Sequence, residues 1–74
     1  MRAAEWIERY AAELGVAAPG EEDFARILEL ASVAAHASER MAAPLACWLA
    51  GATGRPLSEL TEIAEAVGEP ARDR

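Results

Sequence analysis

Lysine is absent from this sequence, cysteine and histidine occur once each, and no apolar run is long enough to cross a bilayer. Each shortage removes a class of explanation. A single cysteine, Cys47, excludes a disulfide within the chain. One Cys and one His, His36, do not supply four zinc ligands unless carboxylates are recruited, so no metal or cofactor is expected. The seven cations are all arginine and face thirteen Asp and Glu, a formal net charge of -6. They stand singly at Arg2, Arg9, Arg26, Arg40 and Arg55, with only Arg72 and Arg74 close together. No basic stripe is present to neutralise phosphates, so nucleic acid is not an expected partner. The longest uncharged stretch, Met41 to Gly54, is interrupted by Pro44 and Gly51 and falls well short of the ~20 residues a membrane span needs. Arg2, Glu5, Glu8 and Arg9 put charges where an export signal needs an unbroken apolar run. The expectation is a cytoplasmic protein, off the membrane, with its thiol reduced.

What remains is 74 residues, room for one domain, 1–74. A chain of this length buries roughly 60% of the surface its unfolded form exposes, which leaves a thin stability margin. Without disulfides or metal, stability must come from helix packing or from association. The pattern is helical throughout. Trp6, Tyr10 and Leu14 recur at i, i+4 and i+8 with Ile7 beside them, which predicts a helix over about 3–14 ending at Gly15. Glu21, Glu22 and Asp23 place three negative charges in a first turn, where the helix dipole favours them. A second helix then runs over about 21–39, with Phe24, Ile27, Leu28, Ala31 and Ala35 on one face. Pro44, favoured at a first helical position, marks a third helix over about 44–53, with a single kinked helix as the competing reading. That helix carries Leu45, Trp48, Leu49 and Ala52 as a stripe. A fourth, over about 57–67, aligns Leu57, Leu60, Ile63, Ala64 and Val67 opposite Glu59, Glu62, Glu65 and Glu69, with Gly68 and Pro70 as its stop and Ala71 to Arg74 as a frayed tail. The expected fold is all-α, a small bundle of about four short helices, compact in itself or completed by self-association.

Few residues suggest chemistry. His36, Glu39 and Arg40 at i, i+3 and i+4 are expected to share one face near the end of the second helix. A helical Glu and His three apart occur in di-metal sites, but those need inward carboxylates from neighbouring helices, and here the acids lie opposite the apolar stripes. The simpler reading is a polar helix end whose cations suit the dipole. Cys47 sits within Leu45-Ala46-Cys47-Trp48-Leu49, an apolar setting that raises a thiol pKa, so a structural cysteine is the better reading. No glycine-rich phosphate loop, serine elbow or paired-histidine motif appears, and no catalytic residue is expected.

The third helix is the informative element, because from Met41 to Thr53 it carries no charge. A helix apolar on every side expects cover on every side, which a bundle of four short helices does not give. Met41 and Trp48 are the expected anchors against a second chain, a homodimer being one form of that contact. The plainer alternative is that exposed alanines need no cover. With Pro44 as first helical residue and Ala43 as a cap that accepts no hydrogen bond, the free N–H groups are either satisfied by Ser38 or Glu39 folding back or, beside Arg40, form a small anion-binding corner with His36 as a further donor. The expected partner contact is therefore His36, Glu39, Arg40, Met41, Pro44 and Trp48.

The run Ala35-His36-Ala37-Ser38-Glu39-Arg40-Met41-Ala42-Ala43-Pro44-Leu45-Ala46-Cys47-Trp48-Leu49-Ala50-Gly51 resembles a family of short uncharacterised proteins of high-GC bacteria. Glu5-Trp6-Ile7 and Leu14-Gly15 are similar as well. Members of that family occur alone or attached to molybdenum-cofactor guanylyltransferases. The resemblance implies a non-catalytic accessory role in maturing or inserting that cofactor, with a maturation enzyme as protein partner. It does not imply the nucleotide transfer itself. This chain departs from the family in having Ser32-Val33 where Arg-Asp is frequent, and Met41 where proline is. The alternative function is a purely structural, self-associating helical module.

Overall fold

A computed structural model describes residues 1–68. It is a small all-α bundle of four helices, α1 (Ala3–Leu14), α2 (Glu21–Ala37), α3 (Ala42–Thr53) and α4 (Leu57–Val67), with no strand among the described residues. The expected stop at Pro70 and the tail from Ala71 to Arg74 lie outside those residues, as do Glu69, Arg72 and Arg74.

Local chemistry accounts for the helix ends. The Arg2 backbone N–H donates to the Glu5 carboxylate at 3.2 Å, which satisfies one of the donors left free at the start of α1. Gly15 ends α1 at φ 77°, and the N–H groups of Gly15 and Val16 return to the carbonyls of Ala12 and Ala11 at 3.1 and 3.0 Å. Glu21, Glu22 and Asp23 open α2 as expected. The Arg26–Glu22 pair one turn on, at 3.1 Å, is exposed and adds little.

The junction between α2 and α3 corrects the sequence reading at both sides. The helices are separate. α2 stops at Ala37, two residues before Glu39, because Ser38 leaves helical geometry at φ -131°, ψ -98°. α3 starts at Ala42, so Met41 and not Ala43 is the N-cap, and Pro44 is the third helical residue instead of the first. Proline is accommodated there for the reason that favours it at the first position, since N–H groups in the first turn lack an intrahelical acceptor.

α2 is the centre of the packing, with α3 and α4 laid against it and α1 in sparse contact with the rest. Leu30, 3% exposed, is where the three helices meet, and it lines the grooves toward both α3 and α4. Among the described residues the buried apolar side chains are Leu30 and Ala11, with Thr61 the buried polar one. α3 turns its small residues inward, leaving Ala42, Ala43, Ala46, Cys47 and Ala50 half-buried, and its large ones outward.

Candidate functional site

The outward side of α3 is the largest departure from ordinary packing. Met41, Leu45, Trp48 and Leu49 are 66%, 61%, 74% and 62% exposed. At 100° per residue Met41, Leu45, Trp48 and Ala52 fall within a narrow arc, with Leu49 on one flank and Pro44 on the other. Their spacing of four, three and four residues is the spacing of a helix–helix seam. No Asp, Glu or Arg interrupts it anywhere in α3. Ile63 of α4 extends the apolar surface, since it shares a groove with Leu49.

All six residues expected at a partner contact are exposed. Met41, Pro44 and Trp48 lie together on the α3 face. His36, Glu39 and Arg40 do not form the helical constellation expected of them, because α2 ends between the first and the other two. No ion pair or side-chain hydrogen bond joins these three among the described residues. His36 instead folds back on its own helix. Its Nδ1 lies 2.8 Å from the Ser32 carbonyl oxygen, which only accepts, so Nδ1 carries a proton and donates it; Ser32 Oγ stands at 3.2 Å. The Ser32 backbone carbonyl, with the hydroxyl beside it, thus orients the imidazole, a link that spacing at i and i+4 made available but that the sequence reading missed.

The anion-binding corner loses its donors. Ala42 N–H donates to Glu39 O at 2.8 Å and Ala43 N–H to Arg40 O at 3.1 Å, while Pro44 has no N–H to offer. The one-turn hydrogen bonds that tighten this helix start consume the groups the corner required.

Cys47 faces the other way, into a groove of about 400 Å³ shared with Ile27, Leu30, Leu57 and Leu60. Burial pushes its thiol above the ordinary cysteine range, which keeps it protonated at neutral pH. No cluster of three or more His, Cys, Asp or Glu side chains is placed to hold a metal ion among the described residues. No helix among them is long and apolar enough to cross a membrane.

A second exposed apolar surface lies on α1, where the rings of Trp6 and Tyr10 pack 5.2 Å apart at 30° and Leu14 continues the line. The periodicity of these residues identified the helix without showing that Ile7 and Ala11, on the adjacent face, are the ones turned inward. The whole chain, residues 1–74, matches the model of a domain of unknown function, DUF6457, and belongs to that family. No curated protein and no solved structure matches it.

Proposed function

We propose that this chain is a cytoplasmic, non-catalytic protein-binding module that serves molybdenum-cofactor maturation, its contact surface running from the corner of His36, Glu39 and Arg40 along α3 to Trp48. The observation that carries the reading is the inversion of α3, whose Ala42, Ala43, Ala46 and Ala50 are half-buried on the inner side while Leu45, Trp48 and Leu49 stand in solvent. Large exposed apolar side chains, rimmed by polar ones, mark surfaces that work by being covered. Trp is among the residues that dominate binding energy when buried at an interface centre, and Arg at its edge suits a carboxylate. The link to the cofactor rests on the resemblance carried by the run from Ala35 to Gly51. A purely structural self-associating module is the second reading, favoured by the small number of buried side chains among the described residues.

The test is calorimetric titration of the protein with a co-encoded molybdenum-cofactor guanylyltransferase. Saturable binding is expected, weakened several-fold by Arg40→Ala in a variant whose circular dichroism is unchanged. Unaltered affinity in that variant removes the corner from the binding surface. No binding by the wild type removes the link to cofactor maturation and leaves the structural reading.

A further inference from the structure

We propose that the outward face of α3 is a homodimer interface, in which α3 of one copy lies antiparallel against α3 of a second. The proposal rests on reading this face as an association surface, and it names the occupant.

Four observations select a second copy. First, the chain needs cover whenever it is folded. With Leu30 and Ala11 as its buried apolar side chains, the described fold has little core of its own. A second copy meets that need wherever the chain is concentrated enough, without a separate partner. Second, the area suffices. The chain exposes 5950 Å². A compact monomer of its 7.9 kDa is expected to expose about 4,400 Å². The excess over the whole chain, about 1,500 Å², is more than the ~800 Å² that each partner contributes to a specific interface, and the exposed face of α1 holds part of it. Met41, Leu45, Trp48 and Leu49 together expose on the order of 600 Å².

Third, the charge fits a like partner. Each copy carries a formal -6, so most approaches of two copies set acid against acid. α1, α2 and α4 all bear carboxylates, and α3 bears none. Two equally acidic molecules can therefore meet on α3 without facing like charges, and a basic partner finds nothing there to attract it. Fourth, the face is complementary to itself when reversed. An antiparallel pair centred between Leu45 and Trp48 sets Leu45 against the second copy's Trp48 and Met41 against Ala52. Large side chains then meet smaller ones, and the two helix dipoles oppose. A parallel pair sets indole on indole and aligns the dipoles. The arrangement is isologous, as closed two-fold dimers are. In the dimer the α3 part of the contact surface is taken by the second copy, and His36, Glu39 and Arg40 at the rim are what remains for a maturation enzyme.

Sedimentation equilibrium of the full chain should give twice the 7.9 kDa chain mass, falling toward one chain on dilution. Trp48→Glu should abolish the dimer. A cross-linking experiment on a Cys47→Ser background decides the same point without relying on that variant's folding. Chains with Met41→Cys and chains with Ala52→Cys should form a disulfide when mixed, and neither should cross-link with its own kind. Monomer mass at every concentration overturns the proposal. So does a dimer indifferent to Trp48→Glu, or cross-linking of each variant with itself. A monomer that still binds the guanylyltransferase through Trp48 sinks the dimer and keeps the protein-binding reading. A dimer that binds no such enzyme does the reverse for the cofactor link.

Discussion

Cys47 and Trp48 are neighbours in the chain and opposites in environment. A hundred degrees of helical rotation puts the thiol against α2 and α4 and the indole into solvent. Desolvation of the half-buried sulfur disfavours its thiolate and raises its pKa. The folded state therefore holds the proton over a pH window in which the unfolded chain releases it. Stability from this source is complete below the ordinary thiol value of about 8.5 and declines as pH rises through the folded one. Alkylation by iodoacetamide at neutral pH should accordingly run slower than for a free cysteine and accelerate only above the ordinary range. The alkaline loss of stability should shrink in Cys47→Ser. Fast alkylation near neutrality with a midpoint below the ordinary thiol value would contradict the buried placement. The expectation of a structural cysteine came from its apolar neighbours. The link between His36 and Ser32 did not emerge from residue types, because a serine one turn earlier is as often solvated as bonded.

Among the elements, α1 and α4 end where their punctuation places them, at Gly15 and Gly68, and α2 starts at its acidic turn. The α2–α3 junction was less legible. Ala35 to Ala43 contains neither glycine nor proline, so Pro44 attracted the boundary, although a proline at the first or the third helical residue satisfies the same steric rule. The orientation of α3 was hidden for a different reason. Periodicity reports that large and small apolar residues occupy different faces, but when neither face is charged it does not say which face turns inward. The glycines of α3 test its geometry. Gly54, at φ 72°, closes the helix in the left-handed region, and a Cβ there meets no atom within 4 Å, so Gly54→Ala should lose about 1–2 kcal/mol from backbone strain alone. Gly51 is inside the helix with equally open space, so Gly51→Ala should gain up to ~1 kcal/mol. Urea denaturation of the two variants should move their midpoints in opposite directions; equal shifts would mean that α3 does not end at Gly54.

At the scale of the whole molecule, charge and apolar area pull against one another. The small core favours covering the exposed side chains, while the formal -6 on each copy opposes bringing two copies together. Because α3 itself carries no charge, the repulsion comes from acidic residues away from the contact, through solvent, where salt screens it effectively. Added salt should thus strengthen self-association, the attractive term being apolar burial that screening leaves intact. Exposed ion pairs within one chain, Arg26–Glu22 and Arg55–Glu59, contribute too little to reverse that sign. An interface built from ion pairs across copies, for instance through the arginines and glutamates of α1, would behave oppositely and loosen as salt rises. Measuring the dimer dissociation constant by sedimentation at low and high sodium chloride separates the two. A constant that falls with salt is expected of the α3 face. One that rises would place the contact on a charged surface and leave the outward side of α3 without the role argued for it.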